Sequence, residues 1–238
     1  MIRPEDRLIV ALDVDKIEDA VGLVRTMAPL GITHFKVGLN LFTRAGPAAV
    51  EAVHQAGGRV FLDLKFHDIP NTVAGAVQAA SRMGVWMTNV HIPGGSAMMR
   101  AALSGRGKDL LLIGVTVLTS MAEKDLTELG VRHPVEAQVL SLAKLAQAAG
   151  LSGVVASARE AVAIRRVCGE GFLIVTPGIR PKDKAVDDQQ RTGTPGEAIR
   201  AGADYLVVGR PILEAPDPAA VARRIIEECA ELKVKDAT

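Results

Sequence analysis

The chain of 238 residues has room for one large domain or two small ones, and its 48% hydrophobic and 23% charged residues exclude disordered and fibrous classes. With 28 Lys+Arg against 27 Asp+Glu the net charge is +1, so neither nucleic acid nor an anionic membrane is an expected partner. Aromatic residues, at 3%, are too few for base- or sugar-stacking platforms.

No apolar run approaches the roughly 18 residues of a membrane span. The first residues carry acids and no apolar stretch, unlike a signal peptide. Cys168 and Cys229 stand in no metal-like or redox-like spacing. The expectation is a cytoplasmic protein with reduced thiols.

Short β-branched runs alternate with amphipathic stretches along the chain. A strand over 8–12 precedes a helix over 16–27, and a strand over 34–39 precedes a helix over 47–55. Strand 59–65 leads to helix 71–83, strand 85–92 to a short helix 96–103, and strand 110–118 to helix 135–149. Strand 153–156 leads to helix 158–167, strand 172–176 to a short helix 196–200, and strand 204–208 to a final helix 218–232. Gly57-Gly58, Gly84, Gly150, Gly169 and Gly202 fall between a helix and the next strand, where helix C-caps belong. Eight βα units in this length predict one (β/α)8 TIM barrel over residues 1–238. The missing G-x-G-x-x-G after the first strand argues against a dinucleotide fold. The longest loop, 178–194, is polar and is expected to be functional.

In such a barrel the polar residues at strand ends carry the chemistry. They are Asp13 after strand 1, Lys36 in strand 2, Asp63 and Lys65 in strand 3 with Asp68 beyond, His91 in strand 4, and Thr119-Ser120 after strand 5. Alternation puts Asp63 and Lys65 on one face and Leu62 and Leu64 on the other. Charges aimed into a barrel need partners, and Lys36 and Asp68 supply them. A preorganised electrostatic site follows, with Lys65 kept as an ammonium by neighbouring carboxylates. Gly209-Arg210-Pro211 after the last strand suits a phosphate at a helix start. Pro177, Arg180 and Gln189 on the long loop stand on the same side, whereas Lys182, Lys184 and Arg191 read as surface. His67 and His91 are weak candidates, and His34, His54 and His133 look incidental. No zinc-type spacing is present, and lysines beside Asp63 would compete with a cation, so no metal and no cofactor are expected.

The segment Phe61-Leu-Asp-Leu-Lys-Phe-His-Asp-Ile-Pro-Asn-Thr72 resembles the signature of the orotidine 5'-phosphate decarboxylases, in their bacterial branch. The likeness extends through Leu-Ile-Val-Ala-Leu-Asp13, Phe-Lys36-Val-Gly, Val-Leu-Thr119-Ser120, Thr-Pro177-Gly-Ile-Arg180, Gln189 and Val-Val-Gly209-Arg210-Pro. It implies conversion of orotidine 5'-monophosphate to uridine 5'-monophosphate and carbon dioxide, the last step of de novo pyrimidine synthesis, without a cofactor. It assigns proton donation to Lys65, the vicinity of the substrate carboxylate to Asp63, and ribose hydroxyls to Lys36 and Asp13. It also marks Leu64, Phe66, His67, Ile69, Pro70 and Asn71 as part of one binding window. Asp68 and Thr72 are implied to reach the neighbouring subunit's site in a homodimer. Ser120 and Thr119 would meet the pyrimidine, and Gly209, Arg210, Gln189 and Arg180 the phosphate.

Two rivals stand beside this reading. The run from Asp63 to Asp68 also fits the Asp-x-Lys-x-x-Asp core of magnesium-dependent sugar-phosphate decarboxylases and aldolases. The Ile69–Thr72 extension and Thr119-Ser120 favour the nucleotide enzyme. A silent barrel that senses a phosphorylated ligand is disfavoured by the intact Lys65.

Overall fold

The structure, a computed structural model, describes residues 2–180 and 193–230. Eight parallel strands close into a barrel in chain order. They are β1 (Leu8–Ala11), β2 (His34–Gly38), β3 (Arg59–Phe66), β4 (Met87–His91), β5 (Leu111–Val115), β6 (Gly153–Val155), β7 (Leu173–Thr176) and β8 (Tyr205–Val208). Closure is made by β1 against β8, with Leu8 beside Leu206 and Val10 beside Val208.

The helices are α1 (Ile17–Met27), α2 (Leu39–Ala45), α3 (Pro47–Gln55), α4 (Pro70–Arg82), α5 (Gly95–Ser104), α6 (Glu123–Glu128), α7 (Val135–Ala149), α8 (Ala158–Cys168), α9 (Pro195–Arg200), α10 (Arg210–Leu213) and α11 (Pro218–Ala230). Those long enough to show a 3.6-residue period bury one stripe each, as Val73, Val77 and Ala80 do in α4. Gly150, at φ 95°, ends α7 in the left-handed cap its position in the sequence predicts.

The apolar residues separate into two bodies because strand side chains alternate. One face, with Leu8, Val10, Phe35 and Leu62, packs against the helices. The other fills the barrel with Ile9, Phe61, Met87, Ile113, Val175 and Val207. The barrel base is closed by rings: His34 lies 4.0 Å from Trp86, and Tyr205 meets Trp86 edge-on at 5.1 Å. The Arg59 guanidinium covers Trp86 from outside at 5.5 Å. Burial, with the Arg59 charge behind it, pushes the His34 imidazole down to about 4, against a smaller opposing pull from Asp6.

Three short helices depart from the sequence expectation. Residue 39 starts α2 instead of ending β2, α6 precedes α7, and α10 follows β8. Each is too short to establish a period, and α2 and α6 bury only Leu41 and Leu126 respectively. Strand β5 stops at Val115 rather than residue 118, because the chain leaves the sheet once Thr116 has bonded Val155 through its N–H and hydroxyl.

Candidate active site

The C-terminal ends of the strands surround a cavity of about 260 Å3. Asp13, Lys36, Asp63 and Lys65 form one wall, and Thr119, Pro177, Arg180, Gly209 and Arg210 line the rest with apolar residues of the barrel interior. Asp13 extends from the end of β1, Lys36 from the middle of β2, and Asp63 from β3, one register step above Phe61.

The four charges form a chain. The Lys36 Nζ sits 3.0 Å from Asp13 Oδ1 and 3.4 Å from Asp63 Oδ2, and the Lys65 Nζ sits 2.7 Å from Asp63 Oδ1. Exposure rises outward: the Asp63 side chain is 11% accessible, that of Lys65 28% and that of Asp13 49%. Burial works to raise the Asp63 carboxyl, but Lys36, Lys65 and hydrogen bonds from Lys65 and Asn89 outweigh it and hold it below the ordinary carboxylate range. Burial likewise works to lower the Lys36 ammonium, and Asp63 and Asp13 outweigh it in turn. Asp63 and Lys36, the two most buried members, are thus each held ionised by the opposite charges beside them. Gly38 makes room for this chain, since a Cβ there would meet the Lys36 Nζ at 2.7 Å.

Strand β3 does not reach its end by simple alternation. Its register against β4 passes from Leu62 beside Thr88 to Phe66 beside Val90, so four steps on β3 face two on β4. Inside this bulge Lys65 takes φ 52°, and it alone among the described non-glycine residues has a positive φ. Its N–H is taken up by the Asn89 Oδ1 at 2.8 Å. The Asn89 Nδ2 donates to Asp63 Oδ1 at 2.7 Å. Sequence reading missed Asn89, and it met Gly38 only inside the Phe-Lys36-Val-Gly likeness, without a role. The available signal for Asn89 was a carboxamide inside a strand, where asparagine is disfavoured.

The other candidates are distributed more widely. Leu64 and Phe66 pack with the shell between barrel and helices. His67, Asp68, Ile69, Pro70, Asn71 and Thr72 form an exposed ridge beside the mouth, outside the cavity lining. Asp68 accepts the Ile69 N–H through Oδ1 and forms no ion pair among the described residues. His67 and His91 have ring centres 5.4 Å apart, and burial, followed by the charges of His67 and Lys65, lowers the His91 pKa. Thr119 lines the cavity, whereas Ser120 is exposed just outside it. Arg210 opens α10, and Gly209 backs onto Asp13. Gln189, Lys182, Lys184 and Arg191 lie outside the described residues. Among the described residues no three His, Cys, Asp or Glu side chains cluster as a metal site, and no helix is long and apolar enough to cross a membrane.

A closed parallel barrel with a desolvated charge array at its C-terminal mouth defines a (β/α)8-barrel enzyme. Comparison with known proteins narrows the class. The chain belongs to the orotidine 5'-phosphate decarboxylase / HUMPS family, whose model matches residues 6–225. It is 55% identical over 227 residues to the orotidine 5'-phosphate decarboxylase of Chromohalobacter salexigens, covering 94% of this chain and 96% of that one. It is 53% identical to that of Syntrophotalea carbinolica, covering 97% of each. The crystal structure of orotidine 5'-phosphate decarboxylase from Lactobacillus acidophilus superposes with a TM-score of 0.83 at 38% identity, over 94% of this chain and 99% of that one.

Proposed function

We propose that this chain decarboxylates orotidine 5'-monophosphate to uridine 5'-monophosphate in pyrimidine biosynthesis, in the cytoplasm, with Lys65 as the proton donor. The observation that carries the mechanism is the Lys65 ammonium held 2.7 Å from Asp63 in the Lys36–Asp63–Lys65 chain. The ring carbon–carboxylate bond breaks, carbon dioxide leaves, and the electron pair stays on the ring carbon in the plane of the ring. No π system delocalises it. A unit positive charge about 4 Å away is worth about 4 kcal/mol at an effective dielectric near 20, or about a thousandfold in rate. Lys65 supplies that charge and then gives its proton to the carbon, and water restores the ammonium. Lys36 and Asp13 take the ribose hydroxyls, Thr119 and Ser120 the pyrimidine, and Gly209, Arg210, Arg180 and Gln189 the phosphate. Grip on the phosphate converts remote binding energy into rate at the ring.

The test is the loss of orotate absorbance when orotidine 5'-monophosphate is added, with and without EDTA dialysis. Equal turnover in both arms is expected. No turnover would refute the assignment, and EDTA-sensitive turnover would favour the magnesium-dependent sugar-phosphate rival.

We also propose that two copies share their sites, with Asp68 and Thr72 reaching the partner's cavity. The support is the ridge 67–72, exposed throughout, with Ile69 67% accessible and Asp68 in no ion pair among the described residues. Lys65→Ala and Asp68→Ala variants, each nearly inactive, should complement when mixed and allowed to exchange. Random pairing yields about half mixed dimers with one intact site each, so roughly a quarter of wild-type activity should return. Mixed dimers captured by a tag but inactive would place Asp68 in its own chain's site.

A further inference from the structure

We infer that Asn89 is a positioning residue for this decarboxylation: its carboxamide ties the backbone of Lys65 and the carboxylate of Asp63 to one another, so that the Lys65 ammonium meets the reacting carbon in a single orientation. The inference rests on the function proposed above and assigns a role to a side chain that does not itself line the cavity.

Asn89 is 0% exposed in the middle of β4, with Ile113 beside it on β5. A buried carboxamide is costly unless its donor and acceptor are both used. Here the Oδ1 accepts the Lys65 N–H at 2.8 Å and the Nδ2 donates to Asp63 Oδ1 at 2.7 Å. The same Asp63 oxygen accepts the Lys65 Nζ at 2.7 Å. Lys65 is therefore held at both ends, by its backbone N–H and by its ammonium, through one amide–carboxylate pair.

The bulge explains why a side chain is needed there. Three residues of β3, Asp63 to Lys65, stand opposite Asn89 alone on β4, and none has a ladder partner there. Its N–H would be an orphan, and its left-handed backbone is sparsely populated for any residue with a Cβ. Such a conformation persists only where its surroundings over-determine it. The Asn89 carboxamide does this by standing in for the missing strand partner. The chemistry is specific, because one planar terminus must present an acceptor to an amide and a donor to a carboxylate. Aspartate at 89 would accept the Lys65 N–H but turn its second oxygen on Asp63.

The experiment compares wild type, Asn89→Ala and Asn89→Asp in steady-state turnover of orotidine 5'-monophosphate between pH 5 and 9, with thermal melts and uridine 5'-monophosphate binding alongside. In Asn89→Ala, kcat should fall about 100-fold, the scale of a small misplacement of the reacting group, with KM and nucleotide affinity within about threefold of wild type. Asn89→Asp should show the same split at neutral pH and recover towards pH 5, as the new carboxyl takes up a proton and donates to Asp63 again. The groups that meet it are Asp63 and Lys65 on β3, with Lys36 on β2 paired to Asp63 behind them, His91 two residues on along β4 with His67 beside it, and apolar Ile113 on β5. Recovery absent from wild type and Asn89→Ala would be the mark of a restored donor. Unchanged kcat in both variants, affinity lost in step with kcat, an Asn89→Asp profile parallel to wild type, or failure of both variants to fold would each overturn the inference. Wild-type turnover is read first: an inactive wild type overturns the function and this role together, whereas an active wild type with unaltered variants removes the role of Asn89 alone.

Discussion

The two ends of the barrel solve opposite problems with the same strands. At the base, β2 and β8 contribute His34 and Tyr205 around Trp86, which immediately precedes β4, and these large rings fill the space and keep a neutral imidazole dry. At the mouth the same sheet turns to Ala11, Gly38 and Gly209, small residues that leave room for four charged side chains. The base is apolar packing with one titratable group forced neutral. The mouth is a chain of opposite charges, in which buried Lys36 and Asp63 are kept ionised by their neighbours. The contrast separates two kinds of perturbation: changes at the mouth should reach turnover with little effect on stability, and changes at the base should do the reverse.

The largest expected effect is at the mouth. Lys65→Ala removes the cation and the proton together, and turnover should fall at least about a thousandfold. Asp63 keeps Lys36 and Asn89 as partners, so the melting temperature should stay within a few degrees of wild type and product nucleotide should still bind. A variant that loses stability as steeply as activity would erase the distinction between the two ends.

At the base the lever is pH. Because the folded His34 has a pKa of about 4 against about 6.5 when unfolded, the unfolded chain binds the extra proton first. The contribution is fully present above pH 6.5 and is lost as pH falls towards 4. Of its total of about 3 kcal/mol, about 2 should be gone by pH 5. Urea midpoints at pH 7 and pH 5 read this directly. If His34→Phe loses as much between the two pH values as wild type, the acid sensitivity belongs to another group.

A smaller effect sharpens the comparison within the mouth itself. Arg210→Ala should cost about 2 kcal/mol of transition-state stabilisation for the phosphorylated substrate, the scale of one charge-assisted contact. Orotidine lacking the phosphate should barely register the change. Equal losses on both substrates would make Arg210 a structural residue.

Legibility followed the same division. The apolar runs of the strands and the glycines at helix ends are regular, and the barrel and its strand order follow from them. Asp13, Asp63 and Lys65 were visible as charges towards the ends of otherwise apolar runs, and Lys36 as a charge between Phe35 and Val37. The bulge in β3 was not, because a register shift depends on what the neighbouring strand offers, and Asn89 lies 24 residues further along the chain than Lys65. The short helices α2, α6 and α10 span at most about two turns and carry no period to read. The exposed ridge 67–72 had the opposite problem: its motif was plain, but its placement outside the cavity depends on where α4 begins.

Closure of β1 against β8 also has a consequence for the newborn chain. Leu8 and Leu206 are neighbours in the sheet and almost two hundred residues apart in synthesis. At roughly 5–20 residues per second, β1 waits roughly 10–40 s on the ribosome with one edge unpaired. Asp13 and Lys36 are made early, Asp63 and Lys65 soon after, and Gly209 and Arg210 only once the last strand has been translated. Truncated products therefore lack the final wall of the cavity and expose a sheet edge, the kind of surface that chaperones shield and that invites aggregation.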